Sequence, residues 1–267
     1  MTSYELVWND VDRIRGQSPL VHNITNYVAM NVTANALLAI GASPVMAHAV
    51  EEVEDMVRIA NALVINIGTL SRFWIEAMFR AARAAKTRDI PIVLDPVGAG
   101  ATPYRTETAV KFLADIRPSI IRGNASEIRS LLMSESATKG VDSRHGAEEA
   151  VEAAAAISRQ YGCVVSVSGE VDFIVEGGSI TRVANGHPLM PRVTGLGCTA
   201  SALTAAFAAV NASYAAAAAN AMAVMGIAGE IASLTSRGPA SFLTAFIDAL
   251  HNLREKDIRE RLKMERA

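Results

Sequence analysis

Along most of this chain, apolar runs of strand length alternate with amphipathic stretches of helix length. The strand-length runs are PLVHNIT (19–25), SPVMA (43–47), ALVINIG (62–68), PIVLDPV (91–97), SIIRGN (119–124) and CVVSVSG (163–169). Near-continuous apolar strands are what a parallel sheet needs when helices cover both of its faces. The stretches between them, 26–40, 51–60, 71–87, 104–116, 125–133 and 146–161, predict helices. Gly41 and Gly162 stand where left-handed C-caps would end two of these. After residue 169 the pattern changes. Residues 173–176 and 179–183 flank Gly177-Gly178, which predicts a β-hairpin. Long Ala-rich helices are then expected at about 198–210, 213–235 and 239–262.

No linker, repeat or low-complexity tract interrupts this order. The expected fold is a single domain over residues 1–267. It is a three-layer α/β/α sandwich around a mainly parallel sheet, with an antiparallel hairpin at one edge. In such sheets ligands gather at the carboxyl ends of the strands. The informative residues should therefore follow the strands.

Composition narrows the classes. Of 267 residues, 51 % are apolar but only 5 % aromatic, so the core must be built from Ala, Val, Ile, Leu and Met. A net charge of −2 gives no basic footprint for nucleic acid or anionic lipid. Two cysteines, Cys163 and Cys198, make neither a disulfide framework nor a zinc cluster and fit a reducing cytoplasm. The first 16 residues lack a basic region followed by an apolar run, so no secretory leader is expected. Between Arg192 and Arg237 the only charge is Glu230. Asn211, Ser213, Asn220, Gly226 and Gly229 interrupt that stretch, whereas a spanning helix needs about 20 strongly apolar residues. Buried helices, not a membrane segment, are expected there.

Four segments carry candidate chemistry. Gly195-Leu196-Gly197-Cys198-Thr199-Ala200 opens an Ala-rich helix, where glycines let backbone amides approach an anion. The bare pattern also matches a dinucleotide fingerprint. That reading needs a following strand and an acid about 20 residues on, and neither is present. A glycine turn that merely starts a helix is an equal alternative. Cys198 falls in the first helical turn, where a thiol's pKa is expected to drop toward a partial thiolate. A small buried residue is the alternative, as it is for Cys163 inside CVVSV. Asp95-Pro96-Val97-Gly98 ends the strongest strand and either points a carboxylate into the ligand crevice or caps helix 104–116. Arg122-Gly123-Asn124-Ala125-Ser126-Glu127 reads as a capping box, with an arginine placed for a phosphate. Ser166-Val167-Ser168-Gly169-Glu170-Val171-Asp172 offers a hydroxyl and a glycine for phosphate, or an ordinary turn into the hairpin. Together these put carboxylates, an arginine, a hydroxyl and an anion hole at one rim, the components of phosphoryl transfer. There is no Gly-Lys-Ser/Thr and no His-Arg-Asp.

In this order the residues resemble the ribokinase-like superfamily, and within it hydroxyethylthiazole kinases. The carrying segments are PLVHNITNYVAMNVTANALLAIGASPVMA, LVINIGTL, VLDPVGAGAT, IIRGNASEI, VSVSGEVD and VTGLGCTASAL, which span nearly the whole chain. The resemblance implies transfer of the γ-phosphoryl group of ATP to the hydroxyl of 4-methyl-5-(2-hydroxyethyl)thiazole, a salvage step of thiamine biosynthesis. It also implies Mg²⁺ and a homotrimer with thiazole sites between subunits. Met46 and Gly195 match thiazole-binding positions, and Asn23, Gly68 and Val97 match positions near the thiazole. Arg122 and Ser168 match ATP-binding positions, and Asp95 and Glu127 the acidic positions near Mg²⁺. Sugar kinases of the superfamily carry Gly-Ala-Gly-Asp, whose Asp is the catalytic base. Here Cys198 stands in its place, as a modest base or a positioning group. A hydroxymethylpyrimidine kinase, an ATP-dependent hydrate dehydratase and a non-catalytic nucleotide-binding protein are the competing readings.

The histidines suggest no metal site. His22 lies in the opening motif, His48 follows a strand end, and His145, His187 and His251 are scattered. The tail LREKDIRERLKMERA alternates charge and predicts a solvated helix face.

Overall fold

The computed structural model describes residues 3–133 and 146–266; His145 lies outside them. Among the described residues nine strands form one sheet: β1 (Leu20–Ile24), β2 (Ser43–Val45), β3 (Ala62–Asn66), β4 (Ile92–Asp95), β5 (Ile120–Asn124), β6 (Val164–Ser168), β7 (Asp172–Glu176), β8 (Ser179–Val183) and β9 (Met264–Arg266). Their order is β2-β1-β3-β4-β5-β6-β7-β8-β9. The first six run parallel, and β7, β8 and β9 add antiparallel. The chain steps outward from β1 to β2, then returns past β1 to β3. That reversal is a topological switch point, where a crevice opens outside the carboxyl ends of the strands.

Helices cover both faces. On one lie α1 (Ser3–Gln17), α2 (Met30–Ile40), α8 (Leu196–Val210), α9 (Tyr214–Ser233), α10 (Pro239–Asn252) and α11 (Glu255–Arg261). On the other lie α3 (Val53–Ile59), α4 (Arg72–Thr87), α5 (Pro103–Ile116), α6 (Ala125–Met133) and α7 (Gly146–Tyr161). The period of two along each strand divides the core. Val21, Val64, Val93, Ile120 and Val164 join the α8 side, while Ile24, Ile65, Leu94, Ile121 and Val165 join the α4 side. The expected three-layer arrangement and the hairpin at Gly177-Gly178 are both present. Gly41 and Gly162 hold left-handed backbone at their helix ends, with φ of 105° and 66°.

Several elements differ from expectation. The helix expected from residue 26 begins at Met30, because Asn26 and its neighbours form a turn first. The second strand ends at Val45. The opening residues form α1, whose Val7, Val11 and Ile14 are buried at helical spacing and whose buried Asp10 accepts bonds from Asn211 and Asn220 at 2.7 and 2.8 Å. The helix expected over 239–262 breaks at Leu253, which is buried in extended backbone; Asp257 then accepts the Arg254 amide at 3.0 Å to start α11. The tail is not simply a solvated helix face. Its end adds β9 to the sheet and is pinned by Lys263, whose backbone amide donates to Asn185 and whose ammonium meets Glu230 at 2.9 Å.

By length and composition α9 could cross a bilayer, yet it is packed inside the fold among α8, α10 and the sheet. Small residues allow that packing. A Cβ on Gly226 would lie 2.5 Å from the backbone of Asn185, whereas one on Gly229 would meet the flexible end of Met190, its sulfur at 2.5 Å. Gly226→Ala is therefore expected to lower stability by about 1–3 kcal/mol, since backbone cannot give way. Gly229→Ala should stay within about 1 kcal/mol of wild type, as Met190 can swing aside and Ala favours the helix. Urea unfolding of both variants checks this; equal losses would contradict the distinction.

Candidate active site

The α8 side of the sheet changes character at the carboxyl ends of its strands. Two residues beyond each core side chain stands a polar one: Asn23 after Val21, Asn66 after Val64, Asp95 after Val93, Arg122 after Ile120, Ser166 after Val164. All five are buried. Strand pairing sets Asn66 beside Asp95 and Arg122 beside Ser166. One alternating pattern thus builds a core at one end of the strands and a polar row at the other.

The row faces the start of α8. Gly195 precedes that helix in left-handed backbone at φ 86°, and a Cβ there would lie 2.7 Å from Val32. Among the described residues no side chain caps the helix. Its first amides have no partner within the helix, and its dipole favours an anion at this end. Arg122 reaches under the turn and donates from Nη1 to the Gly197 carbonyl at 3.0 Å. Its guanidinium is thus spent partly on shaping the glycine turn.

A chain of hydrogen bonds crosses the site. Asn26 donates from Nδ2 to Cys198 Sγ at 3.1 Å and to Asn66 Oδ1 at 2.9 Å. Asn66 Nδ2 donates to Asp95 Oδ2 at 2.8 Å, and Ser201 Oγ donates to the same oxygen at 2.7 Å. Cys198 and Ser201 are three residues apart on α8, so one helical turn meets both ends of the chain.

Burial governs the charges. It pushes the Asp95 carboxyl up to about 6, opposed by Arg122 and by the bonds from Ser201 and Asn66. Asp172, buried and bonded to the Gly169 amide at 3.0 Å, is likewise raised to about 6. Burial, reinforced by the Asp95 charge, pushes the Cys198 thiol up to about 11. The partial thiolate expected from its place in the first turn is overturned: desolvation and a facing carboxylate outweigh the helix end. Cys163 is a core residue, raised to about 12 by burial.

The remaining expected residues gather along the same rim. Glu127 completes the capping box: Asn124 Oδ1 accepts its amide at 3.0 Å, and its Oε2 accepts the Asn124 amide at 2.8 Å. Its Oε1 also takes the Gly98 amide at 2.9 Å, joining the Asp95-Pro96-Val97-Gly98 loop to α6. Asp95 does not cap α5; Thr102 does, accepting the Arg105 amide at 3.3 Å. Ser168 ends β6 and donates to Gly123 at 3.3 Å. Asn23 is buried and donates to Val21. Met46 follows β2 on a loop held by His22, which is buried, has its pKa lowered by that burial, and lies 2.8 Å from the Ala47 carbonyl through Nε2.

Pattern reading overlooked four residues: Asn26, Asn66, Ser201 and Arg105. Arg105, on α5, donates to the carbonyls of Ile67, Val97 and Gly68 at 3.0, 2.7 and 2.8 Å and so clamps the loops after β3 and β4 together. Its sequence signal is thin: a cation in the first turn of a helix that follows a glycine loop. Beside this clamp, Tyr27, His48 and Trp74 pack ring against ring, with centroids 4.6–6.4 Å apart.

Residues 11–256 match the model of the hydroxyethylthiazole kinase family. The chain is 59 % identical over 261 residues to a hydroxyethylthiazole kinase of Syntrophus aciditrophicus, covering 97 % of each. It superposes on the hydroxyethylthiazole kinase structure from Pyrococcus horikoshii with a TM-score of 0.92 at 43 % identity, covering 98 % of this chain and 99 % of that one. Pyridoxal kinase from Staphylococcus aureus shares the fold at 17 % identity, with a TM-score of 0.67 over 93 % of this chain and 98 % of that one. Matched by the family model over residues 11–256 and by relatives over nearly its whole length, the chain belongs to the hydroxyethylthiazole kinase family.

Proposed function

We propose that this chain, acting as one kinase domain, transfers the γ-phosphoryl group of ATP to the hydroxyl of 4-methyl-5-(2-hydroxyethyl)thiazole in thiamine biosynthesis. The observation that carries the reading is the buried polar row, Asn66, Asp95 and Arg122, facing the open amides at the start of α8. Transfer through a loose transition state asks mostly for positioning and charge neutralisation, which such a rim supplies.

In this reading the amides after Gly195 receive the transferring phosphoryl group, and Arg122 and Ser168 hold ATP from the ends of β5 and β6. Met46 and Gly195, with Asn23, Gly68 and Val97, bound the thiazole. Cys198 lies beside the acceptor hydroxyl. With its thiol raised to about 11, Cys198 orients the alcohol as a neutral group and does not act as a standing base. Asp95 and Glu127 would hold Mg²⁺: both carboxylates offer hard oxygens at the strand-end rim. A cation there would take its other ligands from phosphate and water, as Mg²⁺ does. Bound Mg²⁺ neutralises phosphate charge. The exposed Tyr27, Val28 and Phe73 side chains near the rim suit a homotrimer with sites between subunits, and a cytoplasmic setting suits the free thiols.

Isothermal titration with the thiazole alcohol, with and without Mg-ATP, tests the substrate; no binding in either case rejects it. A coupled ATPase assay should show turnover with the thiazole alcohol and not with a pyrimidine alcohol. Cys198→Ser should lower that turnover about tenfold, and a change under about twofold would make the residue mere packing.

Asp95 links chemistry to stability. Its folded pKa of about 6 lies above the ordinary 3.8, so the protonated form favours the fold. That contribution is complete below about pH 4 and is lost as pH rises through about 6. Holding the carboxylate at neutral pH therefore costs on the order of 3 kcal/mol, about two units of about 1.4 kcal/mol each. Asp95→Asn keeps an oxygen for Asn66 and Ser201. In metal-free buffer it should gain roughly 1–3 kcal/mol at neutral pH, lose that gain near pH 4, and lose turnover by at least about a hundredfold. Urea unfolding at both pH values checks the sign; a less stable variant at neutral pH would refute it.

A further inference from the structure

We propose that Asn26 is a positioning residue for phosphoryl transfer, an amide tether that fixes the Cys198 sulfur relative to the carboxylate across the site. The proposal rests on the reading that Cys198 faces the acceptor hydroxyl, and adds the residue that aims it.

Both polar side-chain atoms of Asn26 are engaged. Both hydrogens of Nδ2 are used, one toward Cys198 Sγ at 3.1 Å and one toward Asn66 Oδ1 at 2.9 Å, while Oδ1 accepts the Ala29 amide at 3.0 Å. The side chain is 5 % exposed. It has no donor left for a ligand, which separates a tether from a substrate contact. Its seat is built for it. Gly68 forms one wall, and a Cβ there would lie 2.8–2.9 Å from the Asn26 side chain. The Gly68 amide in turn donates to Asn66 Oδ1 at 3.0 Å, so the acceptor that holds Asn26 is itself held.

The direction of the bonds matters. The Asn26 N–H approaches a lone pair of sulfur, so the thiol hydrogen of a neutral Cys198 points elsewhere. The same amide group is anchored through Asn66 to Asp95. Sulfur and carboxylate are therefore held in register through two side-chain amides. For a loose transfer, placement of the acceptor oxygen is the larger part of what such a residue can contribute.

Asn26→Ser isolates the tether. A serine hydroxyl can still accept the Ala29 amide and preserve the turn, but it is too short to reach Sγ. Turnover of the thiazole alcohol is measured in Asn26→Ser, in Cys198→Ala and in the double variant. We expect Asn26→Ser to lower kcat about tenfold with KM for ATP unchanged, and to change kcat less than about twofold once Cys198 is alanine. The same factor in both backgrounds overturns the proposal. A second measurement needs no turnover: alkylation of Cys198 by iodoacetamide at one alkaline pH, in wild type and Asn26→Asp. The aspartate keeps the turn, removes both donors and opposes the thiolate, so alkylation should slow about tenfold; equal rates overturn the tether. Saturating thiazole alcohol should protect Cys198 in wild type. Failure of protection removes the acceptor-side reading itself, and so is told apart from failure of the tether.

Discussion

The rim of this sheet depends on one carboxylate kept out of water. Asp95 is 1 % exposed, and three groups make that tolerable: Asn66, Ser201 and the Arg122 guanidinium. Each comes from a different element, β3, α8 and β5. The position of α8 over the strand ends is thus fixed by polar satisfaction as much as by its apolar contacts. A buried charge without those partners would cost several kcal/mol and would protonate instead. The fold accepts a destabilising group at the place where the proposed function would bring phosphate, a cation and an alcohol together.

The same electrostatic arrangement decides what Cys198 can be. A thiol at a helix start is ordinarily eased toward thiolate. Here Asp95 lies across the site and the sulfur is half-buried, and both favour the neutral form. A neutral thiol there suits the proposed role, in which Cys198 orients the acceptor alcohol. This agrees with a transfer in which little proton movement is needed before the phosphoryl group departs.

Much of the fold was legible because parallel strands buried on both sides must be apolar and must be followed by helices. The strand ends were legible for the same reason: Asp95 and Arg122 are conspicuous in runs that are otherwise Val, Ile and Leu. Asn26 and Asn66 carried no such signal, since a neutral amide in an apolar run also fits a turn or a strand end. Their meaning lies in partners 172 and 29 residues away, which no local pattern records. The tail misled for a related reason. Its alternating charges fit a helix, and only the burial of Leu253 and the free edge of β8 turn it into a short helix and a strand.

Glu127 shows how a small site can be constrained from two sides. One oxygen closes the start of α6 and the other holds the loop after β4, while the carboxylate's charge also acts on Asp95. In evolutionary terms the position has little room to drift. Glutamine would keep only one of the two acceptors, and aspartate would fall short of the loop. A lineage that lost this side chain would need a second substitution in the Gly98 loop before selection on turnover could recover it, so the two segments should change together or not at all.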